Sequence, residues 1–115
     1  MEINNGKLNK LKEEFIKSAI AHGESTESGE YEKANKAFEL LQEIQKEIIK
    51  IDPEKFLFKE LLDYPNNSVQ SFAASKLLVS NPTIALPVLE KIASKEGLVA
   101  FSAQNLVEEW KAGNL

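Results

Sequence analysis

The feature that most constrains this chain is a pair of segments that repeat at a fixed distance. Asp52-Pro53 recurs as Asn81-Pro82, twenty-nine positions later. The same offset relates five pairs of apolar residues: Val69 and Leu98, Phe72 and Phe101, Ala74 and Ala103, Leu77 and Leu106, Leu78 and Val107. A period of this size is typical of stacked helical hairpins, each of which buries its apolar face only against its neighbours. The repeat therefore predicts an all-α fold, of a kind that serves mostly as a binding surface.

Helical periodicity extends this prediction to about six helices in three antiparallel hairpins, forming a short right-handed α-solenoid. We expect one domain over residues 1–115, with 1–51 as an N-terminal capping hairpin and 52–80 and 81–112 as two repeats. The first helix is predicted from about Asn5 to His22, because Gly23 favours an end there. In the second helix, Phe38 and Leu40 are expected to widen the buried stripe.

Proline positions predict the boundaries of the later helices. Asp52-Pro53 is a helix-start signal, because the carboxylate accepts from free amides and proline suits the first helical position. Pro87 should break a helix begun at Pro82, since its ring clashes with the preceding turn. The remaining predictions are a third helix to about Asp63, a fourth from Asn67 to Ser80, a fifth that starts anew near Pro87, and a sixth from Leu98 to about Lys111, stopped by Gly113.

Two aromatic features leave alternatives open. The third helix carries Phe56, Leu57, Phe58, Leu61 and Leu62, so it is either a central buried helix or an exposed apolar contact patch. Trp110 is either the plug of the terminal core or an aromatic anchor for a partner.

Charge and composition narrow the classes of partner. The net charge is −4 at pH 7, whereas domains that bind nucleic acid usually carry a basic stripe. We therefore expect another protein, of basic character, as the partner, and no nucleic acid, membrane or small molecule. The segment Met1–Gly6 lacks the apolar stretch of a secretory signal, which predicts a cytoplasmic location. The chain has no Cys, so packing must hold the fold.

No set of residues predicts catalysis, a cofactor or a metal ion. His22 is the only histidine, and one turn away it has Ser18, Ala19, Ser25 and Thr26 rather than carboxylates. We interpret it as a helix-end histidine that packs or caps terminal carbonyls. The expectation is a protein without enzymatic activity.

Two surfaces are candidates for partner binding. The first is an acidic turn, which can attract a basic partner and raise its association rate; it comprises Glu24, Glu27, Glu30 and Glu32. The second is a small, nearly uncharged strip on the concave side of the predicted solenoid, which comprises Gln70, Ser71, Ser75 and Gln104.

The segments Asn81-Pro82, Leu86-Pro87-Val88-Leu89 and Phe72-Ala73-Ala74 resemble short HEAT-like repeats of bacterial proteins. Together with His22-Gly23 and Gly29-Glu30-Tyr31, their order is similar to that of a family of small bacterial proteins known as domain of unknown function 2019. The resemblance implies a HEAT-type helical domain without established catalysis. For some small acidic proteins of this kind it also implies an immunity role, in which the protein neutralises a toxin of competing bacteria.

The leading hypothesis from the sequence is thus a protein-binding module, and its sharpest version is an immunity-type inhibitor of a basic toxin. The first alternative is a structural or self-associating accessory domain. The second, given little weight, is a HEAT-like enzyme that acts on nucleic acid.

Overall fold

The computed structural model describes residues 5–115 and consists of α-helices joined by short turns, with no strand in that range. The prediction about a secretory signal rests on Met1–Gly6, and residues 1–4 of that segment lie outside the described residues. The all-α fold and the number of helices predicted from the sequence are confirmed. The six helices are α1 (Asn5–Glu27), α2 (Tyr31–Ile51), α3 (Phe56–Leu61), α4 (Asn67–Leu77), α5 (Pro82–Ala93) and α6 (Leu98–Lys111).

The helices group into two compact units, Met1–Leu57 and Phe58–Leu115, whose boundary falls within α3. In the first unit α1 packs along α2, and in the second α4, α5 and α6 pack together. Buried apolar residues follow helical spacing in each unit. They include Leu11, Phe15, Ala19, Leu41, Ile44 and Ile48 in the first, and Val69, Ala73, Leu77, Ala85, Leu89, Ile92, Ala103 and Val107 in the second. The proposed division into a cap and two repeats stays a prediction.

The predicted end of α1 at Gly23 is wrong, because the helix continues to Glu27. The chain instead leaves the helix at Gly29, which has φ +79°. The Gly29 amide donates to the Thr26 carbonyl (3.2 Å), and the Glu30 amide donates to the Ser25 carbonyl (2.8 Å). This pair of hydrogen bonds is a Schellman motif, which satisfies the last carbonyls of a helix. Gly23 is buried inside the helix, where glycine is tolerated at a cost of roughly 1 kcal/mol.

Helix α3 starts later than Asp52-Pro53 predicts, at Phe56, and it ends at Leu61 rather than Asp63. A turn intervenes, and Lys55 within it has the left-handed value φ +63°. Asp52 nevertheless serves the helix, because its buried carboxylate accepts from the Leu57 amide at 2.8 Å. The helix is neither wholly buried nor a continuous exposed patch: Leu57, Phe58 and Leu61 are buried, whereas Phe56 is 65% exposed.

The predicted break at Pro87 is also wrong, because α5 is one helix from Pro82 to Ala93 with Pro87 inside it. Proline removes the hydrogen bond to the carbonyl four residues back, here that of Thr83. Both residues are exposed, so the loss falls on the side of the helix that faces solvent. The opposite side carries Ala85, Leu89 and Ile92, all buried, and their packing keeps the helix continuous.

The ends of α4 and α6 show how far local signals decide a boundary. Asn66 caps α4, since its side-chain oxygen accepts from the Val69 amide at 3.0 Å. The helix then ends at Leu77, earlier than the predicted Ser80. Helix α6 has the predicted bounds, and a second Schellman motif ends it: Gly113 has φ +79° and the Asn114 amide donates to the Glu109 carbonyl at 2.9 Å.

Candidate functional site

The four predicted acidic residues lie together where α1 ends and α2 begins. Glu24 and Glu27 are on the last turns of α1, Glu30 is the N-cap of α2 and Glu32 is in its first turn. All four are exposed. They are therefore carried by two helix ends joined by the Schellman motif, rather than by the exposed loop that the sequence predicts. We call these four residues the acidic end.

One cation partly balances the acidic end. The Lys33 ammonium lies 3.0 Å from the Glu30 carboxylate, and the Ser28 hydroxyl donates to the same carboxylate at 2.9 Å. The hydrogen bond from Lys33 and then that from Ser28 hold the pKa of Glu30 below its ordinary value. This stabilisation of the charged form keeps Glu30 ionised. The acidic end is consequently a fixed, solvent-facing negative surface near neutral pH.

The predicted concave strip differs from the acidic end, because most of its side chains already make internal hydrogen bonds. Three of its four residues donate hydrogen bonds to backbone carbonyls of their own unit. The Gln70 amide donates to the Tyr64 carbonyl and the Gln104 amide to the Ala93 carbonyl, each at 2.7 Å. The Ser75 hydroxyl donates to the Phe72 carbonyl at 2.7 Å, and Ser71 is half-buried. Each glutamine thus holds the end of the helical segment before its own helix, a structural role that the sequence pattern does not indicate.

A groove that the sequence reasoning missed lies between α1 and α2, with a volume of about 480 Å³. Its lining comprises Glu14, Lys17, Ser18, Ala21, Lys36, Ala37, Leu40 and Ile44. Small side chains of α1 and α2 leave the space, and Leu40 stands beside it with 53% of its surface exposed. Phe38 is 42% exposed. The expectation that Phe38 and Leu40 widen the buried stripe is therefore wrong, and no pattern in the sequence indicates the groove.

A second depression, of about 420 Å³, lies between the start of α4 and the end of α5. It is lined by Pro65, Asn66, Asn67, Gln70, Lys91 and Lys95. The Lys95 ammonium donates to the Asn67 side-chain oxygen at 2.9 Å, which ties the two helix ends together. Its two lysines and the N-terminus of α4 favour an anionic group. Lys91 lies in the last turn of α5 and Lys95 in the turn that follows it.

His22 lies within α1 rather than at its end, because the helix continues past it, so the expected capping role is wrong. It is half-buried, and its ring centroid is 5.9 Å from that of Phe38. Burial disfavours the charged imidazole and lowers the pKa of His22.

Among residues 5–115, no three acidic or histidine side chains are placed to hold one metal ion. Trp110, the other residue left open, is half-buried.

Comparison of the chain with protein-family models finds no match. Comparison with curated proteins finds none either. Among solved structures, the fold is similar to the crystal structure of the protein RPA1889 from Rhodopseudomonas palustris CGA009, with a TM-score of 0.84 and 23% sequence identity. The match covers 100% of this chain and 97% of that one. It supports the all-α fold and carries no information on activity. Over residues 5–115, no helix combines the length and apolarity needed to cross a membrane.

Proposed function

We propose that this chain is a non-enzymatic protein-binding module that engages a basic protein through the acidic end. The observation that carries the proposal is the convergence of four exposed carboxylates on the last turns of α1 and the start of α2. Lys33 pairs with Glu30, and the four formal negative charges of the acidic end outnumber this one cation. Surface potentials of one sign steer an oppositely charged partner and raise its association rate.

The acidic end is preferred over the concave strip because of what the strip residues already do. The side chains of Gln70, Ser75 and Gln104 already donate hydrogen bonds to carbonyls within the second unit. Binding through those donors would break internal hydrogen bonds, each with a net value of roughly 1 kcal/mol. The carboxylates of the acidic end are exposed, and the contacts of Glu30 with Lys33 and Ser28 are on the surface, where such contacts exchange readily.

Within this proposal, the sharpest version is an immunity-type inhibitor that covers a basic toxin, acting in the cytoplasm. Its support is the acidic charge, the small size and the resemblance to HEAT-like bacterial proteins of domain of unknown function 2019. Neither a nucleic acid nor a small-molecule substrate enters the proposal.

Affinity capture tests the proposal. The tagged protein is exposed to lysate of its source organism at low and high salt, and bound proteins are identified by mass spectrometry. We expect one stoichiometric basic protein, retained at low salt and lost at high salt because surface charge is screened. Recovery of no protein at either salt would contradict the proposal.

A charge-reversal pair then locates the surface on the captured partner. Glu24→Lys with Glu27→Lys should lower the association rate about tenfold or more at low salt. The matched control is Glu108→Lys with Glu109→Lys, because these adjacent exposed residues give the same change in net charge on the second unit. Equal loss of rate in both double variants would show an effect of bulk charge alone and would remove the acidic end from the proposal.

A further inference from the structure

The groove between α1 and α2 is an apolar surface with a prominent side chain at its middle. Leu40 is 53% exposed, and the residues around it are small: Ser18 and Ala21 on α1 and Ala37 on α2. Leu40 adjoins Ala21, Ala37 and Ile44 with charged residues at the border of the groove, and a contiguous apolar patch with a polar rim is typical of a contact surface. The groove belongs entirely to the first unit, and the acidic end is not part of its lining.

The charges along this face of α2 change sign at Leu40. Lys33 and Lys36 precede Leu40, and Glu43 and Glu47 follow it, at the three- and four-residue spacing that places side chains on one helix face. Two contacts show that the face borders the groove. Lys36 lines the groove, and the Glu47 carboxylate reaches across to the Lys7 ammonium of α1 at 3.8 Å. The face is therefore basic in its first half, apolar at its centre and acidic in its second half.

We propose that the occupant of the groove is a second copy of this chain, with the two α2 helices antiparallel across a two-fold axis near Leu40. A surface that reverses its charge about a central apolar residue is complementary to itself after such a rotation. Lys33 is seven positions before Leu40 and Glu47 is seven after it, so each meets the other across the axis. Lys36 is four positions before Leu40 and Glu43 is three after it, so these two are offset by one position across the axis and remain within reach of each other's long side chains. Leu40 of each copy fills the space that Ala21 and Ala37 leave in the other.

The ion pairs present in one copy do not oppose this arrangement. Lys33–Glu30, Lys46–Glu43 and Lys50–Glu47 are pairs on the surface of α2, three residues apart. Exposed pairs of this kind contribute little to stability and exchange readily. Lys36 makes no ion pair with any residue in 5–115. The contact involves one face of a single helical hairpin, so we expect a weak dimer that dissociates on dilution.

Sedimentation equilibrium at low salt over about a hundredfold range of concentration tests the proposal. The wild-type mass should rise from that of the 12.9 kDa chain toward twice that value. Lys36→Glu and Glu43→Lys should each raise the dimer dissociation constant about tenfold or more, because like charges then meet twice across the axis. Mixing these two variants should restore the dimer, since every reversed charge then meets its opposite.

Three further variants separate the interface from changes in folding or in net charge. Glu39→Lys changes an exposed residue of the same helix outside the charged face and should leave the dimer intact. Leu40→Gln should abolish the dimer while keeping the melting temperature, because Leu40 is already half exposed. The double variant Lys36→Glu with Glu43→Lys should dimerise like the wild type. A constant single-chain mass for the wild type at all concentrations would overturn the proposal. Mixed single variants that stay monomeric would do so as well.

Discussion

Replacing Gly29 by alanine tests where α1 ends. Gly29 has φ +79°, and a Cβ atom built on it meets no atom within 4 Å. Steric crowding therefore adds nothing to the loss of stability in Gly29→Ala. The loss comes from the backbone conformation alone. An L-residue held in the left-handed region costs roughly 1–2 kcal/mol. Alanine recovers about 0.4–1 kcal/mol of this by restricting the unfolded chain.

The expected result is a loss of about 1 kcal/mol in the free energy of unfolding, equivalent to a fall in melting temperature of about 3–6 °C for a chain of this size. Urea and thermal unfolding followed by far-UV circular dichroism measure both quantities. Gly29→Asn should lose less, because asparagine tolerates the left-handed conformation better than alanine does.

Gly6→Ala is the matched control for this experiment. Gly6 lies in the first turn of α1, does not have a positive φ and also has open space around its Cβ position. Alanine should stabilise the helix there by up to about 1 kcal/mol. A Gly29→Ala variant as stable as Gly6→Ala would refute the conclusion that the Schellman motif at Gly29 ends the helix.

Two other substitutions follow from the same structure. Pro87→Ala should raise the free energy of unfolding by about 1–3 kcal/mol, because it restores an amide donor and removes ring strain inside α5; unchanged or lower stability in urea would favour a helix broken at Pro87. His22 has a folded-state pKa below its ordinary 6.5, so the unfolded chain binds the proton more tightly. Stability should then be complete above about pH 6.5 and fall as pH drops toward the folded-state pKa. His22→Gln should flatten this part of a stability-against-pH profile, and an identical profile in the variant would assign the dependence to other groups.

Sequence periodicity predicted the helices well and their ends less well, for reasons visible at single residues. Apolar spacing reports the buried face of a helix, which is why the six helices were predictable. A helix end depends on competition between candidate stop signals. For α1, both Gly23 and Gly29 are such signals. The hydrogen bonds from Gly29 and Glu30 to the last turn of α1 decide the outcome. At Pro87 the predicted break does not occur, because the packing of the buried side of α5 outweighs the local cost of proline.

The candidate surfaces were predictable to different degrees. The acidic end could be predicted because its four residues are close in the sequence. The groove could not, since it needs Ala21 and Ala37 to face each other from two helices whose register the sequence does not specify. The hydrogen bonds of Gln70 and Gln104 were missed for a similar reason. Their acceptors, the Tyr64 and Ala93 carbonyls, precede their own helices and leave no residue pattern.

The packing of helices on partners nearby in the chain has a consequence for how fast the protein folds. Helix α1 packs on α2, and α4, α5 and α6 pack on one another. Contacts between segments close in sequence need little loop closure before they form. Helical proteins with such local contacts fold in microseconds to milliseconds. A newly made chain would therefore close its first hairpin early, limiting the time for which the Phe15 and Leu41 side chains face water before burial.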